Sequence, residues 1–128
     1  MSAVATILCI DDEALGLHIR KTVLEKAGYR VLTATDGASG LGLFDCEPID
    51  AVVLDYSMPG MNGGQVASAM RRSKPGIPIM LLSAYMHLPE DVTSEVDTFV
   101  TKGEGAQVLL SKVAQLVESA RSAEGGNG

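Results

Sequence analysis

The sequence contains no tryptophan, two phenylalanines and three tyrosines, and it is also poor in positive charge. Ten lysines and arginines stand against sixteen aspartates and glutamates, so the net charge is −6. The basic residues are scattered along the chain, whereas proteins that bind a nucleic-acid backbone concentrate them on one surface. We therefore expect no direct nucleic-acid binding, and we expect the partner to be a protein.

Cysteines and membrane-directing segments are equally scarce. Cys9 and Cys46 form no CxxC or other metal-binding spacing, so we interpret both as reduced thiols, although a single disulfide between them stays open. Residues 1–3 carry no basic side chain, which argues against a signal peptide. The longest apolar run, residues 77–82, is far too short to span a bilayer. These absences predict a cytoplasmic protein that does not enter a membrane.

What is present indicates one ordinary globular domain. The chain has 128 residues, of which 46% are hydrophobic and 20% charged. This length suffices for a single hydrophobic core, and we find no internal repeat, linker or second domain. We expect the domain to cover residues 1–121 and residues 122–128 to form a flexible, glycine-rich tail.

Short apolar segments alternate with segments of helical spacing, which predicts an α/β fold with a parallel sheet covered on both faces. Strands are expected over residues 4–10, 29–34, 51–55, 77–83 and 98–101. Five helices are predicted. The first carries an apolar stripe of Leu15, Ile19, Val23, Leu24 and Ala27 and ends before Gly28, the second runs from Gly37 to about Asp45 with Asp36 as its cap, and the third follows Asn62 and extends to Arg72. The fourth has about two turns with Pro89 at its first position, and the last carries a stripe of Leu109, Val113, Leu116 and Ala120.

Polar residues follow four of the predicted strands. They are Asp11, Asp12, Asp55, Ser83 and Lys102. Because parallel strands end at the same edge of a sheet, we expect these side chains to lie close together. Three carboxylates there would repel one another unless cations offset them, which favours Mg²⁺ together with the lysine. The carboxylate of Asp55, at the end of the third strand, could then attack phosphorus as a nucleophile. Taken singly, Asp11 and Asp12 could cap the first helix and Asp55 could be a turn former. Ser83 could be a buried hydroxyl and Lys102 a solvated strand end.

With these residues in place, the sequence resembles the receiver domain of two-component response regulators, in the stand-alone, single-domain form. The likeness extends from Val4 to about Ala120 and implies a flavodoxin-like (βα)5 fold with strand order 2-1-3-4-5. The matching motifs are Asp11-Asp12 after the first strand, Val53 to Gly63 around the third, Leu82-Ser83-Ala84 after the fourth and Phe99 to Lys102 at the fifth.

The resemblance implies a role for each matching residue. Asp55 would accept a phosphoryl group from a phosphohistidine of a sensor histidine kinase or phosphotransfer protein. Mg²⁺ would be held by Asp11, Asp12, Asp55 and the backbone carbonyl of Ser57, while Lys102 would bind phosphate. Ser83 and Phe99 would be the switch residues. The domain would catalyse only its own phosphorylation and dephosphorylation, and would signal to a downstream protein as a monomer or weak dimer.

The sequence departs from the family pattern at two places, and these keep other functions open. Gly103 follows Lys102 where the family usually has proline, and the interval from Ser83 to Phe99 is short. A pseudo-receiver that binds proteins constitutively is therefore an alternative. A Mg²⁺-dependent phosphohydrolase is a third possibility, but it would need an acid where Ser57 stands. Tyr85 could shield an acyl phosphate from water, or it could be an exposed loop residue.

Overall fold

The computed structural model describes residues 4–84 and 87–126, which form one five-stranded parallel sheet with helices on both faces. The strand order is β2-β1-β3-β4-β5, as predicted for a flavodoxin-like fold. The elements are β1 (Thr6–Ile10), α1 (Ala14–Lys26), β2 (Arg30–Ala34), α2 (Gly37–Cys46), β3 (Ala51–Asp55), α3 (Gly63–Ser73), β4 (Ile79–Ser83), α4 (Glu90–Thr93), β5 (Thr98–Thr101), a 3-10 turn (Lys102–Glu104) and α5 (Ala106–Gly126).

The sheet has a hydrophobic core on each side, which explains why its central strands are apolar throughout. In β1, Ile7 and Cys9 face the core under α1 and α5, whereas Leu8 and Ile10 face the core under α2 and α3. Successive side chains of a strand point to opposite faces, so a strand covered on both sides needs an unbroken apolar run. All five residues of β1, β3 and β4 are buried, and this holds their carboxyl ends in fixed positions.

Helix α1 buries only part of the predicted stripe. Leu15 and Ile19 are 73% and 52% exposed, whereas the predicted Leu24 is buried together with Leu17, which was not predicted. Leu17 and Leu24 are seven residues apart, which is also a helical spacing, so periodicity alone could not exclude Leu15 and Ile19 from the core. Gly28 lies just past the helix end with φ of 101°, as expected. The structure thus leaves an apolar stripe of α1 open to solvent.

Helix α4 is shorter than predicted. It has one turn, not two, and Pro89 is the residue before it and not its first residue. Arg71 of α3 contacts the segment between α4 and β5. It donates to the backbone oxygens of Glu95 and Ile77 at 2.9 and 3.1 Å and pairs with Asp97. These bonds tie the chain down before β5 without further helical turns.

Other boundaries also differ from the prediction. Strand β1 begins at residue 6, β2 begins at residue 30, and β4 begins at residue 79, after the proline that cannot donate a ladder hydrogen bond. Helix α5 continues to Gly126, although a tail was expected from residue 122, because Ala123 and Glu124 are good helix formers. The division into a domain and a tail stays a prediction. Within the described ranges, no helix is long and apolar enough to cross a membrane.

Two glycines of α2 should respond in opposite ways to the same substitution. A Cβ on Gly40 would lie 2.4 Å from Cδ1 of Ile10, whereas a Cβ on Gly42 would meet no atom within 4 Å. We expect Gly42→Ala to raise the free energy of unfolding by about 0.5–1 kcal/mol, because alanine favours the helix. Gly40→Ala should lower it by about 1–3 kcal/mol through overpacking. Urea denaturation of both variants checks this, and equal effects would contradict it.

Candidate functional site

The carboxyl edge of the sheet brings together side chains from four strand ends. Asp11 follows β1, Asp55 ends β3 and Ser83 ends β4, and each of the three is about 1% exposed. Lys102 follows β5 and is 27% exposed. Buried polar side chains are costly unless they are paired, so their concentration at one edge marks a site and not a stretch of ordinary surface.

Three carboxylates converge at this edge. Asp11, Asp12 and Asp55 each offer an oxygen that lies within 4.8 Å of the others, with Asp12 exposed and the other two buried. Oδ2 of Asp55 accepts no hydrogen bond from the described residues, whereas Oδ1 lies close to Lys102. Carboxylate oxygens with free coordination sites are the donors that hard divalent cations prefer, so this set fits Mg²⁺.

The charge of Lys102 is directed at the buried acids. Its Nζ lies 2.7 Å from Oδ1 of Asp55, and 3.6 Å from both Oδ2 of Asp11 and Oε1 of Glu13. Burial disfavours the ammonium form, but the neighbouring carboxylates of Asp55 and Asp11 outweigh this effect and raise the pKa of Lys102. The lysine therefore stays charged beside Asp55.

Asp55 is held in a state of high free energy when ionised. Burial is the main cause that raises the pKa of its carboxyl group, the negative charges of Asp11 and Asp12 add to it, and Lys102 opposes it. A desolvated carboxylate with acidic neighbours gains more from an incoming cation than an exposed one would. The site is thus arranged to attract positive charge to Asp55.

The loop after Lys102 reaches the site without the family's usual proline. Residues Lys102–Glu104 form a 3-10 turn, and Glu104 closes a capping box by accepting from the backbone N–H of Thr101 at 3.1 Å. Gly105, with φ of 88°, leads into α5. The sequence indicated a different path for this loop, and with Gly103 in it Lys102 still lies close to Asp55.

The loop after β3 is fixed at its far end by the start of α3. Asn62 and Gln65 form a capping box, and the N–H of Gly63 donates to the backbone oxygen of Tyr56 at 2.8 Å. A Cβ on Gly63 would lie 2.6 Å from the backbone oxygen of Asp55, so glycine is needed for this approach. Ser57 is exposed within the loop, and the use of its carbonyl as a ligand stays a prediction.

Ser83 lies at the carboxyl edge beside β5, Phe99 lies within β5, and a third residue cannot be placed. The register of β4 and β5 pairs Ser83 with Thr101, one residue before Lys102. Phe99 is half-buried against the core under α2 and α3. The switch roles of Ser83 and Phe99 stay predictions. Tyr85 lies outside the described residues.

Sequence reasoning missed one charged residue of the site. Arg20 of α1 forms an ion pair with Oδ2 of Asp11, and its side chain is 16% exposed. A signal was available, because Arg20 lies seven residues after Glu13 and therefore on the same face of the helix. With Arg20 included, three carboxylates and two cations meet at this edge.

A doubly wound sheet of this strand order, with an acidic pocket and a lysine at its carboxyl edge, defines a flavodoxin-like domain with a charged site. A sequence profile of the response regulator receiver domain matches residues 7–114. The chain therefore belongs to the response regulator receiver domain family.

Relatives support this assignment. The transcriptional regulatory protein GlrR of Escherichia coli is 30% identical over 122 residues, which cover 93% of this chain and 28% of GlrR. The response regulator TrrA of Thermotoga maritima, in complex with Mg²⁺-BeF, is 35% identical with a TM-score of 0.84, covering 88% of this chain and 99% of TrrA. The structure of the histidine kinase ThkA in complex with TrrA matches at 34% identity with a TM-score of 0.83, covering 89% of this chain and 99% of the matched chain. The chain thus spans under a third of GlrR.

Proposed function

We propose that this domain accepts a phosphoryl group on Asp55 in a Mg²⁺-dependent reaction and signals through protein contacts. The supporting observation is that Asp55 is buried, that its Oδ2 accepts no hydrogen bond from the described residues, and that its Oδ1 lies 2.7 Å from Nζ of Lys102. A carboxylate with these properties is a nucleophile with a cation beside it and not a structural group. The donor would be a phosphohistidine of a sensor histidine kinase or a phosphotransfer protein.

The transfer needs only one bond to form and one to break. An oxygen of Asp55 attacks phosphorus while the N–P bond of the phosphohistidine breaks, and the bonding electron pair stays on the imidazole nitrogen. Lys102 would bind the phosphoryl oxygens as a cation, and the hydroxyl of Ser83 would donate to them as a neutral group. The domain would thus catalyse its own phosphorylation without turning over a separate substrate.

The acids around Asp55 would hold the metal. Asp11, Asp12 and Asp55 would supply carboxylate oxygens and Ser57 its backbone carbonyl. When bound, Mg²⁺ would offset the negative charge that gathers as the phosphoryl group approaches. The Mg²⁺-BeF complex of TrrA, a relative at 35% identity, supports this part of the proposal.

The exposed stripe of α1 offers a surface for the phosphodonor. Leu15 and Ile19 lie one turn apart and are mostly exposed, and α1 begins three residues after Asp11. Apolar side chains beside a reaction centre suit a protein that must dock there to deliver a phosphoryl group. The complex of TrrA with ThkA supports a histidine kinase as that partner, which would place the domain in the cytoplasm.

A small phosphodonor tests the proposal without knowledge of the kinase. The purified domain is incubated with acetyl phosphate, with and without Mg²⁺, and its intact mass is measured. We expect a gain of one phosphoryl group that requires Mg²⁺. A folded protein that gains no mass would contradict the proposal and favour the pseudo-receiver, whereas continuous release of phosphate from a stable phosphomonoester would favour a phosphohydrolase.

Metal binding should also be visible in thermal stability. We expect Mg²⁺ at millimolar concentration to raise the Tm of the wild type by a few degrees, because an ion that binds only the folded state stabilises it. The rise should be much smaller for Asp12→Ala, which removes one ligand. Asp91→Ala, an exposed acid on α4, is the matched control and should respond like the wild type. Equal shifts in all three would argue against a metal at Asp12.

A further inference from the structure

Arg20 enters the acidic site from a helix that is otherwise outside it. Its Nη2 pairs with Oδ2 of Asp11, a carboxylate that is 1% exposed. The contact spans nine residues of sequence and crosses from α1 to the end of β1. Burial of an arginine against an aspartate at this depth is costly unless the pair is well matched, so the guanidinium is a specific occupant of the site.

The start of α1 leaves room for the guanidinium of Arg20, and residue 16 there is glycine. A Cβ placed on Gly16 would lie 3.4 Å from Nη2 and 3.5 Å from Nη1 of Arg20, so the side chain lies directly over that glycine. Arg20 is one turn after Gly16, and helical side chains lean toward the N-terminus. A Cβ at residue 16 would only touch the guanidinium, so Gly16 leaves room for Arg20 without being required for its approach.

Arg20 pairs with one of the two oxygens that Asp11 could offer to a metal. Oδ1 of Asp11 accepts from the N–H of Glu13 at 2.9 Å, and Oδ2 faces both Arg20 and Lys102. Oδ1 of Asp55 lies 2.7 Å from Nζ of Lys102, so both buried carboxylates already have a cation beside them. The three aspartates with Lys102 and Arg20 carry one net negative charge, to which the exposed Glu13 beside Lys102 adds another, and loss of Arg20 would add one more.

We propose that Arg20 is an internal competitor of Mg²⁺: its guanidinium occupies Oδ2 of Asp11 in the resting domain, and it lowers the affinity of the acidic site for the metal. This inference rests on the proposed function, because it concerns the same metal site. A metal that binds Asp11 must displace the guanidinium or share the oxygen with it. The resting domain then stays largely metal-free at Mg²⁺ concentrations that would fill an uncontested site.

Calorimetric titration of the unphosphorylated domain with Mg²⁺ tests the competition directly. We expect Arg20→Met to bind Mg²⁺ about tenfold more tightly than the wild type, since a positive charge beside the ligands is removed. Arg72→Met is the matched control: Arg72 is an exposed residue of α3, so the net charge changes equally but the affinity should not. Arg20→Gln, which keeps a donor without the charge, should show the same gain and serves if the Met variant folds poorly.

The outcomes separate this inference from the function on which it rests. Unchanged or weaker Mg²⁺ binding in both Arg20 variants, with phosphorylation of Asp55 intact, would overturn the competition and leave the proposed function standing. An equal gain in Arg72→Met would also overturn it, because the effect would then come from net charge. If neither the wild type nor the Arg20 variants bind Mg²⁺ or take up a phosphoryl group, both proposals fail.

Discussion

Asp55→Asn should abolish the gain of a phosphoryl group from acetyl phosphate. The amide nitrogen and neutral carbonyl of asparagine cannot replace the carboxylate nucleophile, while the side chain keeps nearly the same volume in a position that is about 1% exposed. Intact mass after incubation with Mg²⁺ and acetyl phosphate measures the loss. Asp91→Asn, an exposed acid on α4, is the control and should be phosphorylated like the wild type. A phosphoryl group on Asp55→Asn would show that another residue is the acceptor.

The same variant should be more stable than the wild type at neutral pH. The pKa of Asp55 is raised above its ordinary value of 3.8, mainly by burial and further by Asp11 and Asp12. The folded state therefore holds this proton more tightly than the unfolded state, and ionisation of Asp55 costs stability as the pH rises through its raised pKa. We expect Asp55→Asn to raise the Tm by about 3–6 °C at pH 7. The difference should shrink as the pH falls toward 3.8, and a constant difference would contradict this cause.

Lys102→Met should lower the rate constant of phosphorylation by about 100-fold, the size of effect seen when one preorganised charge partner of a transition state is lost. The Nζ of Lys102 is 2.7 Å from Asp55 and 3.6 Å from Asp11, so its removal leaves two buried carboxylates without this cation. Lys26→Met, at the exposed end of α1, provides a control of equal charge. A rate within twofold of the wild type would remove Lys102 from the reaction.

The pH profile of Lys102→Met distinguishes a role at the carboxylate from loss of fold. Lys102 lowers the pKa of Asp55, whereas burial and Asp11 raise it. Without the lysine the pKa of Asp55 should rise further, so the ionised nucleophile forms at a higher pH. The acidic limb of the phosphorylation rate should therefore move to higher pH in this variant and stay in place in Lys26→Met. A uniform loss at every pH would contradict the effect on Asp55, because loss of a phosphate-binding cation or of the fold lowers the rate at all pH values alike.

The sheet and most of its site could be predicted because each depends on local sequence. An unbroken apolar run such as Val52-Val53-Leu54 fits a strand that is covered on both faces, and the residue that ends it must lie at the carboxyl edge. The structure gives Ala51–Asp55 the predicted bounds and the sheet the expected order. The acids after β1 and β3 meet within 4.8 Å for this reason.

Helix α1 shows where local sequence stops being informative. Leu15, Ile19 and Leu24 were predicted on one stripe, but Leu15 and Ile19 are exposed and Leu24 is buried together with Leu17. The rotation of a helix on a sheet depends on how its side chains fit those of the strands below, and that fit is a property of the packed domain. The contact of Arg20 with Asp11 likewise depends on how α1 packs against the end of β1.

The sequence by itself determined the alternation of elements, the parallel sheet and the residues at its carboxyl edge, because strand periodicity and chain punctuation are encoded locally. Only the tertiary structure decided which residues of α1 are buried, the single turn of α4 and the 2.7 Å approach of Lys102 to Asp55 despite Gly103. These depend on packing and on hydrogen bonds between segments far apart in sequence, such as Arg71 to Glu95. No local pattern specifies such contacts, since their free energy exists only once both partners are in place.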